Sequence, residues 1–152
     1  MLRFIKILFP IIFLASCGLK PSIEDPKLSD RVFSLEEFFD GKTVAHGQFQ
    51  DVLGNVSLRF LVNIKGSWDG SDLVLVEDFT YEDGYEEQRI WTLTKIGENG
   101  WAGSAEGVIG TAEGKTNGDM FYWAYTIDLP TPNGKRRVSF KDYMWMLSDT
   151  RV

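Results

Sequence analysis

The sequence predicts an all-β domain: an antiparallel up-and-down barrel of about eight or nine strands, preceded by one short helix. Three observations lead there. Long stretches alternate apolar and polar residues with a period of two, which places alternate side chains on opposite faces of a sheet. Turn signals recur at short, even intervals between those stretches. One segment only carries helix-start chemistry, and it lies before the first strand. Several strands bear large apolar groups on both faces, which a closed barrel accommodates and which closure protects from edge-to-edge pairing. A β-sandwich is the alternative.

The chain opens on a segment read as a signal rather than as part of the fold. Arg3 and Lys6 give a basic start, and Ile7 to Ala15 form an apolar run too short for a retained membrane span. Leu14-Ala15-Ser16-Cys17 then matches the bacterial lipobox: an aliphatic residue, two small residues that enter the peptidase groove, and a thiol that accepts lipid. The expectation is cleavage after Ser16, removing residues 1–16 and leaving Cys17 acylated. Arg3 and Lys6 depart with the signal, so the formal net charge falls from −6 to about −8. An acidic body disfavours nucleic acid and lacks a basic patch for anionic head groups. Membrane binding is therefore assigned to acyl chains on Cys17, each buried methylene contributing about 0.8 kcal/mol. Cys17 is the only cysteine, so no internal disulfide is possible. Gly18 stands where inner-membrane retention uses Asp, which in a Gram-negative envelope points to the outer membrane and its periplasmic face.

Residues 17–32 contain Pro21 and Pro26 and little periodicity, and read as a lipidated tether holding the body off the bilayer. Residues 33–152 form one domain. Its first element spans Phe33 to Phe39: Ser34 and Glu37 have capping-box spacing, Phe33 and Phe38 fit a hydrophobic staple, and Asp40-Gly41 stops the turn. The strands follow. Leu58, Phe60, Val62 and Ile64 share one face, as do Leu73, Leu75, Glu77, Phe79 and Tyr81, and Phe121, Trp123, Tyr125, Ile127 and Leu129. Gly54-Asn55, Asp69-Gly70, Asp83-Gly84, Asn99-Gly100, Asn117-Gly118 and Asn133-Gly134 mark turns. Gly97 to Gly118 holds seven of the fifteen glycines, which suggests closely packed, strongly coiled strands in preference to a flexible flap.

No motif for catalysis stands out, and the protein is read as more a binder than an enzyme. Gly110-Thr111-Ala112-Glu113-Gly114-Lys115-Thr116 imitates a phosphate loop but has three residues between its glycines where four are needed, and a turn where a helix should start. There is no nucleophile elbow, and His46 by itself makes no zinc site, so no metal or cofactor is expected. The informative residues are charges in phase with apolar ones. Glu77 lies between Leu75 and Phe79, Asp142 between Phe140 and Met144, and Arg89 is in phase with Trp91 and Leu93. An inward carboxyl costs several kcal/mol unless paired. Glu77, Arg89 and Asp142 are therefore read as a polar cluster, either fixing strand register or orienting the polar end of an apolar ligand. Phe79, Trp91, Trp123, Tyr125 and Trp145 are the candidate cavity aromatics.

The stretches Phe38-Phe39-Asp40-Gly41, Gly47 to Asp51, Glu77 to Gly84, Arg89-Ile90-Trp91, Gly107 to Gly110, Trp123-Ala124-Tyr125 and Lys141 to Met146 resemble an uncharacterised bacterial lipoprotein family, domain of unknown function 3833. The resemblance runs from about Leu35 to Leu147. It implies an envelope lipoprotein and, by analogy with calycins such as lipocalins, a barrel; it brings no catalytic residue. The family's last motif reads acid-acid-Trp-Met, whereas here it is Lys141-Asp142-Tyr143-Met144, which keeps a single acid. Three functions follow as expectations. The first is a lipid-anchored protein binding a fatty acid or other lipid in its barrel. The second is a structural or assembly lipoprotein contacting an envelope protein. The third, less favoured, is an enzyme acting on lipid or glycan through Glu77 or Asp142.

Overall fold

The computed structural model describes residues 20–131 and 134–152. The expected lipobox, Leu14-Ala15-Ser16-Cys17, lies outside the described residues, as do Pro132 and Asn133 of the last turn signal.

A four-residue helix α1 (Leu35–Phe38) precedes eight strands: β1 (Gly41–Gln50), β2 (Val56–Trp68), β3 (Asp72–Tyr81), β4 (Glu86–Ile96), β5 (Gly100–Ala105), β6 (Ala112–Asn117), β7 (Met120–Thr131) and β8 (Gly134–Trp145). Every neighbouring pair is antiparallel and the order is sequential, so the sheet is a meander. It curls into a half-barrel. The inward rows are those the alternation predicts: Leu73, Leu75, Phe79 and Tyr81 are buried on β3, and Phe121, Trp123, Tyr125 and Ile127 on β7.

No strand pairing joins β1 to β8 among the described residues. The inner side chains meet across that seam instead, with the Phe49 and Phe140 rings 5.4 Å apart. The outer edge of β1 is covered by the segment after β8. Val44 donates to the Thr150 carbonyl at 2.9 Å, and His46 donates through its backbone to Val152 at 3.0 Å. This parallel contact occupies an edge that would otherwise be open to another chain. The His46 side chain is exposed, as expected of an edge residue.

Helix α1 plugs one end. Phe33, Leu35, Phe38 and Phe39 are all buried, and Phe33 stacks edge-on with Phe38 at 4.9 Å, the expected staple. Ser34 occupies the N-cap position, but its side chain makes no capping bond. Glu36 pairs instead with Lys95 of β4, so an ion pair to the sheet holds the helix. The plug seats because β2 carries Gly66: a Cβ there would stand 1.9 Å from the Phe39 carbonyl oxygen.

The glycine-rich stretch forms the two shortest strands, β5 and β6, packed tightly beneath Trp123. A Cβ on Gly114 would lie 2.2 Å from the Tyr122 carbonyl oxygen and 2.5 Å from the Trp123 ring, and one on Gly103 would lie 2.7 Å from the Thr92 carbonyl. Close approach explains these glycines, and a flap does not.

Residues 20–32 carry no helix or strand, yet they do not stand clear of the domain. Ser29 donates to the buried Asp119 carboxyl through its backbone N–H at 2.7 Å and its hydroxyl at 3.0 Å. Asn117 donates to the Ile23 carbonyl at 2.8 Å, and Arg31 pairs with Asp149. The described part of the expected tether is fastened to the sheet by polar groups that composition alone does not reveal.

Candidate functional site

The half-barrel interior has an apolar end at α1 and a polar middle. Register assembles that middle. Glu77 and Arg89 are cross-strand partners on β3 and β4, and Trp123 and Asp142 are partners on β7 and β8. Tyr125 pairs with Phe140, one step further from the plug. The Arg89 guanidinium bridges the two walls: it donates to the Tyr125 hydroxyl at 3.5 Å, pairs with Glu87, and lies 5.2 Å over the Phe79 ring. Glu77, Arg89 and Asp142, read from sequence as inward charges, thus face one interior.

Aromatic rings surround them. Trp91 meets Trp123 at 5.5 Å and Tyr125 at 5.0 Å, both edge-on. Tyr125 continues to Phe140 at 5.4 Å, and Phe60 approaches Phe79 at 5.6 Å. Four of the five candidate aromatics, Phe79, Trp91, Trp123 and Tyr125, line this space. Trp145 does not. It is out of phase with Phe140 and Asp142, so the pleat turns it to the outer wall, where it packs beside Pro21 and Leu28.

Sequence reading also missed a member. Glu87 lies in phase with Arg89, two residues earlier, and is its direct ionic partner. The signal was present, but a glutamate beside a turn reads as a solvated charge until the register turns it inward.

The electrostatics follow from three carboxyls and one guanidinium. Burial pushes the Glu77 carboxyl up to about 8, with Arg89 opposing and the Asp142 charge adding to the rise. Burial likewise raises Asp142 to about 6, against the pull of Arg89 and the Tyr125 hydroxyl. Desolvation works against the Arg89 charge, but Tyr125, Glu87 and Glu77 outweigh it and hold the guanidinium ionised. Burial also raises the Tyr125 phenol, keeping it a neutral donor. At neutral pH Glu77 is largely protonated, so it can donate or accept a hydrogen bond.

Solvent still reaches this row. Glu77 is half-buried although Leu75 and Phe79 on either side of it are closed off. The Arg89 and Glu87 side chains keep 12% and 25% of their exposure. Phe60, Phe140 and Asp142 are also only partly covered. Interior groups that water can reach are groups a small molecule could meet. Among the described residues no cluster of His, Cys, Asp and Glu is placed to hold a metal ion. No described helix is long and apolar enough to cross a membrane.

A family model described as protein of unknown function (DUF3833) matches residues 11–152. No curated protein and no solved structure matches the chain.

Proposed function

We propose, for a chain that belongs to the DUF3833 family of proteins of unknown function, a lipid-anchored envelope lipoprotein whose half-barrel binds an apolar small molecule such as a fatty acid or other lipid. The observation that carries the reading is the partly open polar row inside an aromatic interior: Glu77, Arg89 and Asp142 are all only partly covered, Glu77 between the sealed Leu75 and Phe79. An apolar wall with a few convergent polar groups is the usual composition of a small-molecule site. Arg89 already serves Glu87, and two further carboxyls face the same space. A lipid with a hydroxyl, amide or protonated carboxyl end suits this balance better than an ionised fatty acid. The anchor rests on the lipobox ending in Cys17, and a Gram-negative source would place the protein on the periplasmic face of the outer membrane.

The test is native mass spectrometry of the chain from residue 17 carrying Cys17→Ser, purified without detergent so that no acyl chain mimics a ligand. A reproducible mass increment released by organic solvent is expected. A bare mass, with no displacement of a fluorescent fatty acid, would remove the binding reading. The second reading, an assembly lipoprotein that contacts an envelope protein, has one observation in its favour. Val52 and Leu53 are 82% and 84% exposed at the tip of the β1–β2 hairpin, where the fold has no use for them. Crosslinking in intact cells from that tip would trap a specific partner.

A further inference from the structure

The outer faces of β7 and β8 carry bulky aromatics that the core does not need. Tyr122 and Tyr143 are cross-strand partners with rings 5.2 Å apart, and Tyr143 stacks on Trp145 at 6.5 Å. All three are only half-buried. Residues 20–32 run beside this wall and are fastened to β6 and the β6–β7 turn next to it, by Ser29 on Asp119, by Asn117 on the Ile23 carbonyl, and by Lys115 with Glu24 at 3.4 Å. Between segment and wall lies a groove of about 730 Å³ lined by Pro21, Pro26, Leu28 and Trp145, with Lys20, Ser22 and Asp25 supplying its polar part. Leu28 remains 68% exposed, and Val32, further along the same segment, 76%.

Chain length places a membrane next to this groove. Cys17 stands three residues before Lys20, a span of at most about 11 Å when fully extended. With residues 22–32 fastened to the sheet, no slack remains to hold the domain away from a bilayer that contains the Cys17 acyl chains. Tryptophan and tyrosine, apolar in body and polar at the tip, are the side chains that suit a lipid–water interface. The charges along the segment are mixed, Lys20, Lys27 and Arg31 standing among Glu24, Asp25 and Asp30, so neither sign repels a lipid surface.

We propose that the wall formed by Tyr122, Tyr143 and Trp145, with Pro21 and Leu28 across the groove, lies on the bilayer that holds the anchor. The domain then sits against the membrane by this side. The inference rests on the reading of Cys17 as lipidated.

The experiment uses the acylated full-length protein in vesicles of phosphatidylethanolamine and phosphatidylglycerol, with plain or brominated acyl chains. Flotation reports anchoring, and bromine quenching of tryptophan reports contact. The protein is expected to float, to be quenched by brominated lipid, and to lose most of that quenching in Trp145→Phe while floating as before. Flotation with no quenching, or with quenching unchanged in Trp145→Phe, overturns the proposal and leaves the anchor standing. Failure to float overturns both. Should Trp145→Phe fold poorly, hydrogen exchange on the wild-type protein decides: amides of residues 20–28 and 143–145 exchange more slowly on vesicles. The same slowing in lipid-free Cys17→Ser protein as it self-associates would assign the wall to a second copy and overturn the proposal.

Discussion

Raising the pH from 5 to 8 is expected to destabilise this domain, and Glu77 is the main cause. Its carboxyl titrates at 4.5 when unperturbed but at about 8 in the folded protein. Between those values the folded state binds the proton and the unfolded state does not. Stability is therefore fully present below 4.5 and falls as the pH climbs towards 8. Across pH 5 to 8 the linkage relation gives a loss of a few kcal/mol at most, and the partial exposure of Glu77 reduces this to roughly 2 kcal/mol. For a domain of this size, that corresponds to a fall in Tm of about 8 °C. Asp142, raised from 3.8 to about 6, adds a smaller loss of the same sign, confined mostly to the acid side of neutrality. The assay is thermal unfolding followed by near-UV circular dichroism at pH 5, 6, 7 and 8. Glu77→Gln preserves shape and hydrogen bonding but cannot ionise. It should remove most of the fall above pH 6 and make the variant the more stable protein at pH 8. A wild-type Tm that is flat or rises with pH, or a Glu77→Gln variant that retains the full fall, would refute the assignment.

Arg89→Met leaves Glu87, Glu77 and Asp142 without their interior cation; a loss of roughly 3 kcal/mol is expected at pH 8 and clearly less at pH 5, read from urea unfolding at each pH. Gly66→Ala drives a methyl into the Phe39 carbonyl, so the α1 plug must shift, with a cost of about 2–3 kcal/mol measurable as a lower urea midpoint at unchanged slope. Asp119→Ala removes both Ser29 contacts; trypsin should then cut after Lys27 and Arg31 much faster than in the wild type, while the sheet stays intact.

The legible part of this fold was the part written as alternation. Leu73, Leu75, Phe79 and Tyr81, or Phe121, Trp123 and Tyr125, state their common face through a two-residue period that no other element shares. The staple of Phe33 on Phe38 was equally local. The cap signal placed Ser34 correctly at the helix start, but the capping bond itself is absent, and the tie from Glu36 to Lys95 on a distant strand was not legible. Glu77, Arg89 and Asp142 announced themselves as charges in apolar rows, since phase is a property of one strand.

Their meeting was not a property of one strand. The register of β3 on β4 set Glu77 beside Arg89, and the curl of the sheet brought Arg89 to Tyr125. Glu87 entered the cluster and Trp145 left it by the same pleat geometry. The sequence by itself determined the class of fold, the faces of its strands and the turns between them. The tertiary structure alone decided the open seam between β1 and β8, the cover that residues 150–152 place on β1, and the fastening of residues 20–32 to Asn117 and Asp119. Periodicity is local and one-dimensional, so it survives in the order of residues. Contacts between residues up to 118 positions apart depend on how far the sheet twists before its edges meet, and that is settled only when all eight strands pack at once.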